Sequence, residues 1–348
     1  MSPKIISPVV ATILTAILIG IAYLYFFYPG NSKSGERELI NKSAKYTHNP
    51  CLSDNEYADY SIDEKYTEEI KIPTVPVTIF VKDKLSNEVK SSFVIENLIP
   101  LVRMYKCGIY MVREFNKRVP DSRSELWKYN YSGKGTMVLT LALFRDKKPI
   151  GALYGTSLAI DPQEKYIVLE RGYLGSQDYA AVIKELRTLM DVFVLTLEDV
   201  KKMNPAVEPG IIGLGKWSDD SKFVWGTIFN GPVDTAYLRV DIGSWKTDVF
   251  LPPPNLSGEQ ALNTDGYIAY TDFTTFYGID SIAEEAFTEF RKEGRQKHLY
   301  LYNFFIKENK LIAAVSDPEW YFKPRWLSNS VLQYMLPPGA TSTYTIQQ

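Results

Sequence analysis

The sequence predicts an all-β repeat domain held behind one N-terminal transmembrane helix. Three observations lead there. An uncharged apolar run fills residues 5–28, a short Trp-led pattern recurs along the C-terminal half, and 24 Tyr with 17 Phe weight the composition toward strands. The chain has 348 residues, enough for one large domain or two ordinary ones. Its formal net charge of −2 provides no broad attraction to nucleic acid or to an anionic membrane surface.

The first element is the run from Ile5 to Tyr28. As a helix it would be ~36 Å long at ~1.5 Å per residue, against ~30 Å of hydrocarbon, so it spans a bilayer with modest tilt. Tyr23, Tyr25, Phe26, Phe27 and Tyr28 gather at its end as an aromatic belt, and Pro29-Gly30 stops the helix. The run is long for a cleavable signal peptide, no A-x-A site follows it, and no Cys follows that would accept a lipid, so an uncleaved anchor is expected. Residues 1–4 are then a short tail. Lys33, Arg37, Lys42 and Lys45 after the helix outnumber Lys4 before it, which by itself favours an internal domain. Long C-terminal domains are exported largely regardless of such charge, and the expectation is a soluble domain outside the cytoplasm.

Residues 29–75 read as a stalk, because the stretch has no strong periodicity and an acidic, Tyr-dotted segment runs from Asp54 to Glu69. These carboxylates lack the D-x-D-x-D-G spacing of a calcium loop, and no metal is assigned. Cys51 falls in the stalk and Cys107 in the apolar stretch YKCGIYMV. A bridge between them and a pair of ordinary buried thiols are both open readings.

Residues 76–348 form the expected soluble domain. Trp217 to Trp225 aligns with Trp326 to Tyr334 as W-x-x-[D/N]-S-x-φ-x-aromatic, with Asp220 matching Asn329. Weaker copies run from Leu262 through Asp265-Gly266 and from Ile160 through Asp161-Pro162. Each copy is a turn feeding a strand, since Asp, Asn, Ser and Gly supply turn geometry and the following residues are β-prone. In KFVWGTI, Phe223 and Trp225 face one way while Val224 and Ile228 face the other, so both sheet faces need covering. Second β segments follow at 191–197, 236–242, 298–304 and 343–346, and an earlier unit pairs 108–112 with 125–135, where Gly133 and Gly135 mark a turn.

On these residues the chain resembles the β-propeller repeats of the TolB-like and prolyl-oligopeptidase kind, with their W-S-P-D-G-K-x-φ-x-aromatic stretch and following φ-φ-x-φ-D strand. Trp217-Ser218 and Asp220 match, Asp219 stands where the pattern has Pro, and the copy beginning at Ile160 keeps Pro162 but lacks the Asp. The resemblance spans roughly residues 98–348 and implies about five or more propeller-like units. A two-sheet β-sandwich is the alternative.

If the units are blades, the connections after their second strands gather on one face. Three are long: Arg113–Arg123, Arg171–Met190, and Thr271–Lys297, the last containing a helix in which Ile282, Ala286 and Phe290 recur every fourth residue. Arg113, Lys117, Arg118, Arg123, Arg291, Lys292, Arg295 and Lys297 would make that rim basic and suited to an anionic protein segment or an envelope polymer. Glu114, Glu284, Glu285, Glu289 and Glu293 dilute it.

Catalytic patterns fail on inspection. The two His, His48 and His298, have no second ligand at metal spacing. Gly155-Thr156-Ser157-Leu158-Ala159 lacks the second Gly of a nucleophile elbow, and Gly213-Leu214-Gly215 and Gly133-Lys134-Gly135-Thr136 fall short of nucleotide fingerprints. No cofactor is expected. The expectation is a membrane-tethered binding module, with a propeller-type hydrolase using Asp161, Asp220 and Asp265 as the alternative.

Overall fold

A computed structural model describes residues 51–62, 75–115, 122–145, 148–149, 159–172, 179–230, 233–273 and 280–347. The run 5–28 and the basic residues Lys117 and Arg118 lie outside the described residues. Among the described residues, no helix is long and apolar enough to cross a membrane. The chain divides into two compact units, one ending at Thr196 and the other beginning at Leu197.

Within the first unit, β1 (Glu56–Ile62) to β7 (Lys148–Pro149) hydrogen-bond in chain order as one antiparallel sheet. Its third strand, β3 (Val89–Tyr105), serves two partners. The part up to Leu98 pairs with β2 (Val75–Asp83), and from Leu98 onward it pairs with β4 (Gly108–Phe115), across a register shift between Ile99 and Val102. The sheet is therefore two successive repeats: β1, β2 and the start of β3, then the end of β3 with β4, β5 (Ser122–Tyr129) and β6 (Gly135–Arg145). A third repeat contains β8 (Ala159–Ile160), β9 (Tyr166–Arg171), β10 (Ala180–Glu185) and β11 (Asp191–Leu195).

The second unit opens with α1 (Leu197–Met203) and continues with two four-stranded sheets and one three-stranded sheet. These are β12–β15 (Ile211–Trp217, Phe223–Asn230, Val233–Asp241, Thr247–Phe250), β16–β19 (Gln260–Leu262, Tyr267–Thr271, Lys297–Asn303, Glu308–Val315) and β20–β22 (Arg325–Trp326, Val331–Leu336, Ala340–Thr345). Helix α2 (Asp280–Lys292) connects β17 to β18, as its four-residue periodicity predicts, and its Phe290 is buried against Phe273 at 4.4 Å.

The protein is all-β, built from propeller-like repeats of three or four antiparallel strands in chain order. A two-sheet sandwich would pass its strands between two sheets, and none of these sheets has a crossover. Three readings change. The stretch expected as a stalk contains β1, which pairs residue for residue with β2 from Glu56 to Ile62. Arg113 and Arg123, expected in the first long loop, belong to strands β4 and β5. The expected loop 171–190 contains β10, whose Ala180, Ala181, Val182 and Ile183 are fully buried.

The Trp-led copies take the same place in the strand order of their repeats. Ile160, Trp217, Leu262 and Trp326 each close the first strand of a repeat, and the turn residues follow at once. Both faces of the second strands are apolar and buried: Val224, Trp225 and Ile228 have no exposure. Layers of side chains fill the space between neighbouring repeats. Val77, Ile79, Val81 and Ile109 occupy the first, Tyr110, Leu126, Ile160 and Ile167 the second. In the other unit Trp225, Tyr237, Tyr270 and Phe304 pack between β12–β15 and β16–β19, and Leu299, Phe322, Leu332 and Tyr334 between β16–β19 and β20–β22.

Cys51 and Cys107 are joined in a disulfide that ties the chain before β1 to the β3–β4 turn. The Leu52 amide donates to the Lys106 carbonyl at 2.8 Å, and Lys106 pairs with Asp54 at 2.8 Å beside it. The crosslink closes 56 residues of sequence separation. Loop-closure entropy makes Cys107→Ser cost about 2–4 kcal/mol, read as a lower urea midpoint in the variant than in the oxidised chain.

Gly226 in β13 is a packing constraint. A Cβ there would lie 2.2 Å from the Gly213 carbonyl oxygen and 2.7 Å from the Leu214 Cα, both backbone atoms of β12. Gly226→Ala is expected to cost about 1–3 kcal/mol by forcing β12 and β13 apart. Thermal denaturation of the variant measures it; an unchanged midpoint would mean the strands separate at no cost.

Candidate functional site

Three first turns of the second unit converge on one cleft. In the first, Ser218 and Ser221 form a hydrogen-bonded turn with Ser221 at φ 59°, and the Ser218 amide reaches the Phe223 carbonyl at 2.9 Å. Asp220 accepts from the Ser218 hydroxyl at 2.8 Å and from the Lys222 amide at 3.1 Å, and pairs with the Lys222 ammonium at 2.8 Å. In the second, the Asn263 carbonyl oxygen of the side chain accepts from the Asp265 and Tyr267 amides at 3.0 and 2.8 Å. Gly266 at φ 81° lies against the Phe305 ring, where a Cβ would come within 2.3 Å, so this position requires Gly on both counts.

Asn329, in the third turn, joins them. Its side-chain amide donates to Asp265 at 3.1 Å, its side-chain oxygen accepts from the Thr264 hydroxyl at 2.9 Å, and its backbone carbonyl accepts from Asn263 at 2.8 Å. Two indoles tie neighbouring repeats together here: the buried Trp225 donates to the Thr264 carbonyl at 2.9 Å, and the partly buried Trp326 donates to the Ala261 carbonyl in β16 at 2.8 Å. The cleft between them has a volume of about 490 Å³. Its floor is Arg239 on β14, whose guanidinium lies 4.8 Å from the Phe223 ring and 4.7 Å from the Phe305 ring and donates to Asp248 at 3.1 and 2.5 Å.

The charges in this cleft are unequally committed. Arg239 is paired with Asp248, and Lys222 with Asp220. Hydrogen bonds from Lys222 and Ser218 hold the Asp220 carboxyl down at about 2. Burial raises Asp265, and the neighbouring Asp219 and Asp220 raise it further. The mouth is acidic and aromatic, a setting suited to holding a cationic or amphipathic group.

Of the repeat-motif residues read from sequence, Asp220, Asp265 and Asn329 come together here. Trp217, Trp326, Gly266 and Pro162 shape strand ends and turns. Asp161, grouped with Asp220 and Asp265 for the hydrolase alternative, belongs to the other unit and is buried. Its carboxylate accepts from the Lys165 and Tyr166 amides at 2.6 Å each, which makes it a turn anchor.

The basic rim is placed differently from its expected form. Arg113 lies 4.7 Å from the Trp127 ring and donates to the Tyr129 hydroxyl at 3.2 Å, and Arg123 pairs with Glu125 at 2.8 Å. Arg291 pairs with Glu319, and Arg295 with Glu293 at 3.6 Å while covering Phe290. Lys292 is exposed at the end of α2. Lys297 is buried in β18, where its ammonium donates to the Trp320 carbonyl at 2.8 Å and faces Glu259 at 3.9 Å. Arg113 and Arg123 belong to one unit and the remaining described four to the other.

A second polar group escaped the sequence reading. Asp234 on β14 is 7% exposed, accepts from the Gln260 amide at 2.5 Å, and shares Gln260 with the Tyr237 hydroxyl. Burial pushes its carboxyl up to about 6, against the pull of Gln260 and Tyr237. The one signal in the sequence is an acid inside the apolar stretch PVDTAYLRV. His298 is bonded through Nδ1 to Asp272 at 2.7 Å and does not line the cleft. Among the described residues, no group of three or more His, Cys, Asp or Glu side chains could hold a metal ion.

No family model and no curated protein matches the chain. Among solved structures it is similar to TolB from Acinetobacter baumannii, with 9% identity over 84% of this chain and 77% of that one and a TM-score of 0.33. It is similar to the β-propeller domain of the trilobed protease from Pyrococcus furiosus, with 11% identity over 84% and 79% and a TM-score of 0.46. A third likeness is to the Pyrococcus horikoshii acylaminoacyl peptidase, with 10% identity over 84% of this chain, 43% of that chain and a TM-score of 0.45. These likenesses concern strand arrangement and carry nothing about activity.

Asp234 yields a pH prediction. Its folded value of about 6 exceeds the ordinary 3.8, so the folded chain holds this proton more tightly than the unfolded chain. Stability is then lost as pH rises from about 4 to about 6, by up to roughly 3 kcal/mol. Asp234→Asn removes the cost of ionisation and is expected to raise the urea midpoint at pH 7.5 while changing little at pH 4. Equal effects at both pH values would count against a buried, protonatable Asp234.

Proposed function

We propose that this chain is a membrane-tethered, non-catalytic binding module whose domain contacts a protein or an envelope polymer outside the cytoplasm. The observation that carries the reading is the cleft of about 490 Å³ formed by three successive repeat turns. Its polar groups are fixed by one another: Asp220 by Ser218 and Lys222, Arg239 by Asp248, Asn329 by Thr264 and Asp265. Groups held this way present a constant surface to a partner. The basic rim supports contact less well, since Arg123, Arg291, Arg295 and Lys297 each face a carboxylate. The anchor is the run Ile5–Tyr28, and the Cys51–Cys107 bond favours an oxidising compartment.

One observation favours a hydrolase instead. Asp220 is held low and Asp265 high, the kind of split that separates a base from an acid. Binding is favoured because the Asp220 carboxylate is occupied within its own turn.

Measurements on the full chain test this reading. Protease added to intact cells is expected to digest the domain, and Cys51 and Cys107 to resist maleimide until reductant is added; protection until the membrane is opened would put the domain in the cytoplasm. A photoreactive residue at Phe305, which lines the cleft, is expected to capture a partner there. Turnover of a peptide or glycoside by the purified chain, lost in both Asp220→Asn and Asp265→Asn, would replace binding with catalysis.

A further inference from the structure

The side chains around the cleft are of two kinds. Phe305, which lines the cleft from the β18–β19 turn, is 45% exposed; the residue after it, Ile306, is 65% exposed, and Leu327, two residues before the lining Asn329, is 50% exposed. Asp219, Asp220 and Asp265 stand on the opposing turns. Of the cations near the site, Arg239 and Lys222 are already neutralised by Asp248 and Asp220, and Lys216, whose ammonium donates to the Leu262 carbonyl, feels the charge of Asp219. That leaves Asp265 with no cation beside it and Asp219 on the facing turn, next to the half-exposed Phe305 ring.

We infer that the cleft docks a basic segment of a partner protein, a Lys or Arg side chain flanked by apolar residues. This rests on the binding reading and specifies its ligand. A cation entering between Asp219 and Asp265 meets carboxylates on two turns and the face of Phe305, where carboxylate and ring both attract it. Apolar residues on either side of that cation cover Ile306 and Leu327, which are otherwise left in water. Asp265, raised by Asp219 and Asp220, gains the positive neighbour that its surroundings lack. An anionic segment finds the reverse: Arg239 is committed to Asp248 and enclosed between two rings, and the approach passes three carboxylates. The cleft lies at the first turns of the repeats, the opposite strand ends from the connections after the second strands where the basic residues were expected to act.

The test is selection from a random-peptide display library on the full chain, immobilised in detergent. Selected peptides are expected to be rich in Lys and Arg beside aliphatic or aromatic residues. Their synthetic versions should bind about tenfold more weakly to Asp219→Lys and to Ile306→Asp, with circular dichroism confirming that both variants fold. Acidic or uncharged winners that lose binding to Ile306→Asp would overturn the basic-segment assignment while leaving the cleft as a binding site. No winners, or winners that bind both variants as well as the parent chain, would overturn the assignment and the binding reading together.

Discussion

The structure depends on strands that are apolar on both faces. Val224 and Ile228 point away from Trp225, and all three are fully buried. A sheet made of such strands cannot leave either face in water, so each repeat must be covered by its neighbours, and the repeats must follow one another. Trp225 illustrates the coupling. It stacks on Phe250 of its own sheet, packs against Phe304 of the next, and donates its indole N–H to Thr264 in the next repeat's first turn. Burial and hydrogen bonding therefore act on the same residue, and the position of one turn is set by the core of another repeat.

That coupling makes the cleft a consequence of the fold. The first turns are local structures built from Asp, Asn and Ser side chains that accept backbone amides, with Ser221 and Gly266 supplying positive φ. Local chemistry gives each turn its shape. Stacking then brings the turns of β12–β13, β16–β17 and β20–β21 side by side, and Asn329 bonds across all of the space between the last two. Residues that serve the turns individually become the wall of a common surface.

Charge is distributed according to the same division. Many long basic side chains lie beside acids or aromatic rings: Arg239 between Phe223 and Phe305, Arg113 on Trp127, Arg295 over Phe290. Such placement uses the flat guanidinium as packing material and removes its charge from the surface field. Short carboxylates at turns cannot retreat in this way, so Asp219 and Asp265 remain at the mouth of the cleft.

The amino-acid order by itself determined the strand-rich class, the repeated turn-and-strand unit, the helix between β17 and β18, and the candidate bond between Cys51 and Cys107. These follow from local rules: turn propensity, alternation, helical periodicity, and the pairing of two thiols. It also singled out Asp220, Asp265 and Asn329 as members of one motif. Only the tertiary structure decided what those three do together, because their contact is between residues some 45 to 110 positions apart in the chain and depends on sheet stacking. The same reason explains the errors. A row of Lys and Arg looks like a basic surface until packing reveals that Lys297 is buried and Arg291 faces Glu319. The short β1 and the Ala-rich β10 become strands through the partners that shield them, and Asp234 becomes titratable near neutrality only because the fold encloses it.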